Sequence, residues 1–345
     1  MATIRDVARA ANVSVSTVSL FLSQPHRVSE ATRERVSIAV EKLHYRPNGS
    51  ARDLRTRKTN TIGVFLHNLS GPFYSELIAG VEEVTDTLGL TTIVSGLSKN
   101  HLQGSLRLLR EGRVDGAIVL DPAIESKDLR KYASASLPVV VLDRSLSANL
   151  QSDFVTAVAA DHQEGGYLAG RHLLEMGYSR FTFIAGPIDS EDSRLRHRGF
   201  FRALQEAGVD TMTVPVVHGD FKEQGGAQAM AALLNNGLIP DAVFAANDEM
   251  ALGVMQTLAQ KNLRVPQDIA VMGFDDIRLA RYVTPGLSTI HQPMYELGRA
   301  AMMQLDRALN GETRIPPIIL PTTLVVRGST VPQEKKAGEN YYAAP

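Results

Sequence analysis

The residues of this chain best suited to binding chemistry sit immediately beyond short apolar runs. They are Asn68, Asp121, Asp143, Asp161, Asn247 with Asp248, and Asp275 with Asp276. Carboxylates in such places accept hydrogen bonds from ligand hydroxyls, and a carboxamide both accepts and donates. Asp and Asn are also the preferred N-caps where a strand gives way to a helix, so each single position has a structural reading beside the functional one. Capping explains a whole set lining one cleft far less well. Catalytic patterns are weak by contrast. His162 stands beside Asp161, which reads as a hydrogen-bonded structural pair rather than a catalyst or ligand. No HExxH zinc motif and no GxSxG elbow occurs, and no GxGxxG or GxxxxGK[ST] follows a strand. With zero Cys, thiolate nucleophiles, disulfides and Cys-ligated zinc are excluded. The composition and motifs point to a binding protein rather than an enzyme.

The apolar runs that carry these residues cover 62–66, 91–94, 117–120, 139–142, 181–185, 242–246 and 269–273, with helical patterns between them. Such alternation predicts parallel sheets covered by helices, and ligands of these sheets collect beyond the carboxyl ends of the strands. A weak internal repeat predicts two similar lobes: the run at 62–66 leads to Val114-Asp115-Gly116, and the run at 181–185 leads to Pro240-Asp241-Ala242. Gly165-Gly166 reads as close helix packing.

At 345 residues and 37.5 kDa, with 44% hydrophobic and 21% charged residues, the chain fits an ordinary globular protein of two or three domains. No apolar run approaches the roughly 18 to 20 residues of a bilayer span, and the first residues carry no signal pattern, so a cytoplasmic location is expected. The net charge of −1 hides an asymmetry. Residues 1–58 hold 11 Lys and Arg against 5 Asp and Glu, a net of +6, while the remainder holds 25 against 32, a net of −7. A basic head on an acidic body suits a polyanion-binding segment attached to a body that nucleic acid repels.

Within the head, Thr3 and Asp6 have capping-box spacing, and Ile4, Val7, Ala8 and Ala11 share one helical face. Asn12-Val13-Ser14 forms a turn, Ser14 caps a second helix with Val18, Phe21 and Leu22 inward, and Ser29 caps a third helix to about Leu43. Two helices so joined form a helix-turn-helix, which serves either as a DNA reader or as a protein-binding module. In the first case the second helix enters the major groove, and Val15, Ser16, Thr17, Ser19 and Leu20 reach base edges. The following stretch combines Pro47 and Gly49 with five basic residues, Arg46, Arg52, Arg55, Arg57 and Lys58. A helix this short is marginal alone and should order on a partner. Leu54, between Arg52 and Arg55, either wedges between base steps in the minor groove or packs on the body.

Thr3-Ile4-Arg5-Asp6-Val7-Ala8, Val13-Ser14-Val15-Ser16-Thr17-Val18-Ser19, Val28-Ser29 and Tyr45-Arg46-Pro47-Asn48 with Ala51 and Leu54 resemble the head and hinge of the LacI family of bacterial transcription regulators, and the resemblance continues through nearly the whole chain. It implies a small all-α helix-turn-helix head (1–46), a hinge (47–60), a two-lobed α/β periplasmic-binding-protein-like body with parallel sheets (61–330) and a polar tail (331–345) expected to be disordered. DNA contacts are then expected at Thr3, Val15, Ser16, Thr17, Ser19, Leu20, Asn48, Ala51, Arg52, Leu54 and Arg55. Leu20 stands where the family often places Arg, and Leu makes no bidentate contact to guanine. Between the lobes the resemblance implies a small effector, a sugar or sugar acid in preference to a nucleobase. Arg196 matches the clamping Arg, Asp275 and Asn247 match polar contacts, and Asp143 occupies a comparable strand end. Phe221 stands where relatives place an aromatic under a sugar ring, and Phe73 and Tyr74 occupy the first-lobe loop. Arg196 and Asp275 should converge from different strand ends, each exposed while the cleft is empty. The tail lacks an apolar heptad seam, so a homodimer on palindromic double-stranded operator DNA is expected, with no cofactor and no membrane. The competing reading, a transport-type solute receptor, needs an export signal and has no use for a basic head.

If Leu54 is a wedge, Leu54→Ala weakens operator binding by about 1 to 3 kcal/mol and leaves non-specific binding and its salt slope nearly unchanged. Titration of both DNAs checks this, and equal loss on the two sinks the wedge.

Overall fold

The computed structural model describes residues 2–46, 58–67, 69, 71–96, 102–120, 123–144 and 152–331. The expected DNA contacts Asn48, Ala51, Arg52, Leu54 and Arg55, the strand-end residues Asn68 and Asp121, and the tail beyond Val331 lie outside the described residues. Two compact units divide the chain, Met1–Thr59 and Asn60–Pro345.

In the first unit, local hydrogen bonds set the helix boundaries. Helix α1 (Ile4–Ala11) begins at a closed capping box: the Asp6 N–H donates to Thr3 Oγ1 at 3.4 Å, and the Thr3 N–H donates to Asp6 Oδ2 at 2.9 Å. It ends at Asn12, left-handed at φ 51°. Ser14 Oγ accepts the Thr17 N–H at 3.0 Å and starts α2 (Val15–Ser23). A single 3-10 turn, Pro25–Arg27, leads to α3 (Glu30–Lys42). Ser29 holds the N-cap position of α3 but does not cap it as expected, because its hydroxyl turns to the Thr32 hydroxyl at 2.9 Å. Val7, Ala8, Ala11, Val18, Val36 and Ala39 form the core, with Phe21, Leu22, Val40 and Leu43 against it. Val15 and Leu20 lie outside that core, and Val15 is exposed.

In the second unit, β1 (Thr61–Leu66), α4 (Pro72–Leu88), β2 (Thr91–Gly96), α5 (Leu102–Arg110), β3 (Gly116–Val119), α6 (Ser126–Tyr132), β4 (Val139–Leu142) and β5 (Val155–Ala160) build the first lobe. The chain then builds the second lobe from α7 (His162–Glu175), β6 (Phe181–Ala185), α8 (Glu191–Glu206), β7 (Val216–His218), α9 (Glu223–Asn235), β8 (Ala242–Ala245), α10 (Asp248–Gln260), β9 (Ala270–Met272) and β10 (Thr289–His291). It returns as α11 (Met294–Leu309) and β11 (Ile318–Leu320) and crosses again to β12 (Thr323–Val325). The first sheet has the order β11-β5-β4-β3-β1-β2 and the second β7-β6-β8-β9, with parallel pairings throughout both. An antiparallel ribbon joins β10 to β12. All seven expected apolar runs are strands. The short β7, β10, β11 and β12 were not expected, because three-residue strands carry too few side chains to show a period; nor was the six-residue β5, half of whose residues are Ala, a strong helix former.

Since α11 and β11 pack with the first lobe and β10 and β12 with the second, three crossovers connect the lobes: after β5, after β10 and between β11 and β12. They are tied together, for the Asp161 N–H donates to Leu320 O at 2.9 Å and the Thr322 hydroxyl to Asp161 O at 3.1 Å. Gly165-Gly166 packs as expected. A Cβ on Gly166 would fall 2.0 Å from the Arg196 carbonyl oxygen, and one on Gly199 would fall 1.8 Å from that of Gln163, so α7 and α8 touch backbone to backbone. That approach seats Arg196 over the crossovers.

Because Leu20 stands outside the head core, Leu20→Arg should lower Tm by no more than about a degree or two while changing operator preference. Calorimetric melting with binding-site selection checks both, and severe destabilisation would show that Leu20 is a core residue.

Candidate functional site

At the crossovers, polar side chains from both lobes close a ring. Arg196, in the second turn of α8 and only 3% exposed, donates from Nε to His162 Nδ1 at 3.3 Å and from Nη2 to Gln292 Oε1 at 3.1 Å. Gln292 passes the polarity on, its amide donating to Asp143 Oδ2 at 3.3 Å. His162 Nε2 faces the other oxygen, Asp143 Oδ1, at 3.0 Å, though out of line for a full hydrogen bond. Asp143 also accepts the Ala160 N–H at 2.9 Å and holds a left-handed φ of 47° just after β4. Arg196 further donates to the Ala246 carbonyl and lies 3.5 Å from Asp275 Oδ1, with its guanidinium 3.8 Å above the Phe274 ring.

Arg196 and Asp275 therefore converge, as expected, but two parts of the expectation are corrected. Arg196 comes from a helix rather than a strand end, and neither residue is exposed: Asp275 is 6% accessible. The physical reason is mutual compensation, since cation, carboxylate, ring face and carbonyl satisfy one another without a ligand. The compensation is incomplete. Asp275 Oδ1 is a buried atom without a hydrogen-bond partner, the kind of deficit that a ligand relieves, while His162 Nε2 falls short of a full hydrogen bond to Asp143. Burial raises the Asp275 carboxyl to about 7, against the opposing pull of Arg196. Its backbone, at φ 116°, lies in a region that L-residues rarely enter. Asp248 behind it is pushed well above the usual carboxylate range, chiefly by burial and then by Asp275, while accepting from the Thr289 hydroxyl at 2.6 Å and the Ile277 N–H at 2.8 Å.

Around this cluster, Asn247 is committed at both ends. Its Oδ1 caps α10 by accepting the Met250 N–H, and its Nδ2 donates to the Phe221 carbonyl, each at 3.0 Å. That bond holds Phe221 at φ 65°, with its ring over Gly186, where a Cβ would come within 2.3 Å of the ring. Phe73 and Tyr74, half-buried in the first turn of α4, meet edge to face at 5.3 Å. Among the charged neighbours, Asp192 approaches Arg196 Nη2 at 4.0 Å. Sequence reasoning missed His162 and Gln292 as site members. His162 begins a helix directly after a strand end, which was a usable signal, but its partner is Asp143 and not the adjacent Asp161, whose carboxylate caps α7 by accepting the Glu164 N–H. Gln292 carries no local signal.

In the head, Val15 and Ser16 are exposed on the first turn of α2, and Ser19 and Leu20 are half-buried along the same helix. Thr17 is half-buried and spends its hydroxyl on Ser14 Oγ at 2.8 Å. The Thr3 hydroxyl donates to Asp6 at 2.7 Å.

Among known proteins, residues 3–48 match the family described as bacterial regulatory proteins, lacI family, and residues 170–330 match the periplasmic binding protein-like domain. The ribose operon repressor of Escherichia coli (strain K12) is 40% identical over 337 residues, 95% of this chain and 100% of that protein. The HTH-type transcriptional repressor PurR of Erwinia tasmaniensis is 38% identical over 95% of this chain and 97% of that protein. Among solved structures, the Lac repressor dimer bound to operator and the anti-inducer ONPF aligns at a TM-score of 0.82, with 31% identity over 96% of this chain and 99% of that one. A LacI family transcriptional regulator from Enterococcus faecium with bound ribose aligns at 0.72, with 30% identity over 79% of this chain and 100% of that one. Described head, two-lobed body and sequence agree from one end to the other, and the chain belongs to the lacI family of bacterial regulatory proteins, DNA-binding transcription regulators governed by a small effector.

Proposed function

We propose that this protein represses transcription as a homodimer on palindromic operator DNA and that its effector is a sugar, held between the lobes by Arg196 and Asp275 over the Phe221 ring. The observation that carries the sugar reading is the buried Asp275 Oδ1, which has no hydrogen-bond partner although the Arg196 guanidinium lies 3.5 Å away. A vicinal diol donates to the carboxylate and accepts from the guanidinium at once, and an aromatic face covers the C–H side of a sugar ring. Ribose bound to the Enterococcus faecium regulator and cellobiose bound to a further structural neighbour support the same class. Asp143, Asn247, Phe73 and Tyr74 complete the site in this reading, Asn247 by fixing Phe221 more than by touching the ligand. Val15, Ser16, Ser19 and Leu20 read base edges, and Thr17 and Thr3 hold helix ends while facing phosphates.

The dimer reading has support in the second lobe, where Leu279 and Tyr282 are exposed beside a groove lined by Leu252, Met255 and Val283. Two copies would bring two heads to two half-sites. The protein works where its operator is, in the cytoplasm with the nucleoid. It needs no cofactor and performs no catalysis in this reading; the buried His162 and Asp275 serve binding. Among the described residues no helix is long and apolar enough to cross a membrane, and no cluster suited to a metal occurs.

Thermal-shift screening against pentoses, hexoses and sugar acids names the effector, since a ligand that prefers the folded form raises Tm. With it in hand, Arg196→Ala or Asp275→Asn should weaken effector binding by roughly 2 kcal/mol or more, because a ligand polar group loses its partner in a water-poor site. Operator binding without effector should persist. Calorimetric effector titrations and operator titrations decide this, and normal effector affinity in both variants removes the pair from the site.

The raised carboxyl of Asp275 gives a pH dependence of definite sign. Folding lifts its pKa from 3.8 to about 7, so the folded protein keeps a proton that the unfolded chain has lost, and this group's contribution to stability falls as pH rises across that window. Hydroxyl donors from a sugar favour the carboxylate, so effector binding releases this proton and strengthens as pH approaches 7. Binding heats near pH 6 should depend on the buffer's ionisation enthalpy in the wild type and lose that dependence in Asp275→Asn. Buffer-independent heats in the wild type would rule out the linkage.

A further inference from the structure

Two side chains join the second-lobe guanidinium to the first-lobe carboxylate, one on each of two crossovers: His162 directly after β5 and Gln292 directly after β10. Their polarity is not free. Arginine nitrogens only donate, so the His162 Nδ1 that receives Arg196 Nε must carry a lone pair. A neutral imidazole then has its proton on Nε2, the atom that faces Asp143 Oδ1 at 3.0 Å. Gln292 is oriented the same way, accepting from Arg196 through Oε1 and donating to Asp143 through Nε2. The two relays run in parallel from cation to anion, and reversing Gln292, or moving the His162 proton to Nδ1, would set donor against donor at Arg196.

The relays differ in tightness. Gln292 has a hydrogen bond at each end, whereas the His162 link to Asp143 is close but out of line. Hydrogen bonds of this kind tighten when a ligand completes a site. The charged groups around the ring are Asp143, Arg196, Asp275 and Asp192, and the face of His162 tilts against Phe274 at 5.9 Å, the ring that also carries Arg196. A ligand that draws Arg196 toward Asp275 therefore acts on His162 through both its hydrogen bond and its ring contact.

We propose that His162 is a positioning residue of the effector site: held as the Nε2–H tautomer between Arg196 and Asp143, it sets the Arg196 clamp and couples it to the first lobe. The proposal rests on the reading of Arg196 as an effector contact and adds a residue that makes no ligand contact of its own. Two requirements define the role, an acceptor toward Arg196 and a donor toward Asp143. Glutamine meets both; leucine, of similar bulk, meets neither.

The full chain, labelled with 15N-histidine, is examined at pH 7.5 by long-range proton–nitrogen correlation, with His162 assigned by its loss in His162→Gln. D-ribose is then titrated calorimetrically into the wild type, His162→Gln and His162→Leu, with Tm recorded for each. The expected signature is a protonated Nε2 with a bare Nδ1. The expected affinities are a loss of about tenfold or more in His162→Leu and recovery to within about threefold of the wild type in His162→Gln. A protonated Nδ1 overturns the proposal, as does wild-type affinity in the leucine variant or an equal loss in two variants of unchanged Tm. A wild type that binds no D-ribose counts against the sugar reading of the site, while the tautomer signature still decides how His162 is held.

Discussion

Taking a guanidinium out of water costs several kcal/mol even after the protein relaxes, and that cost falls only when its donors and charge are matched in place. Arg196 meets this constraint with partners drawn from four separate stretches of chain: His162, the Ala246 carbonyl, Asp275 together with the Phe274 ring face, and Gln292. Much of the second lobe is arranged to allow it. Glycines at 166 and 199 let α7 and α8 touch, which puts Arg196 at the crossovers rather than on the surface. Asp275 holds an unusual backbone, φ 116°, with its carboxylate 3.5 Å from the guanidinium. Such strain persists only where the surroundings over-determine it, and here a buried cation supplies that determination.

The same arrangement makes the body suited to switching. A ligand shifts an equilibrium between two lobe arrangements only through its different affinity for them. Direct chain connections between the lobes are confined to three crossovers, so a small rotation there moves the rest of each lobe as a body. The ring of Asp143, His162, Arg196 and Gln292 lies at these crossovers, and its members take their hydrogen bonds from both lobes. A ligand satisfying Asp275 thus acts where the lobes are joined. The first lobe is also the one that the chain enters from the head, at Asn60, whose N–H is held by Asp115 Oδ2 at 2.7 Å just before β1.

Legibility in the sequence followed the range of the interactions. The head was readable almost residue by residue because its boundaries are set by hydrogen bonds between residues three apart, Thr3 with Asp6 and Ser14 with Thr17. Ser29 departed from that reading because Thr32, equally near, competed for its hydroxyl. Buried parallel strands such as β1 and β8 announced themselves as apolar runs, while the Ala-rich β5 and the three-residue strands of the ribbon did not. Arg196 and Asp275 came to notice through resemblance and through their place near strand ends, while their burial was not foreseen.

By itself, then, the sequence determined the basic helix-turn-helix head, the two-lobed parallel α/β body, the absence of cysteine chemistry and the family. Composition, periodicity and capping act over a few residues and are written in order along the chain. Only the tertiary structure decided which polar residues meet. Asp143 and Gln292 are 149 positions apart, Arg196 and Gln292 96 apart, and His162 reaches 34 positions forward to Arg196 while ignoring the carboxylate next to it. These pairings depend on how three crossovers bring two separately packed lobes into register, and no local pattern encodes a distance that exists only once both lobes have formed.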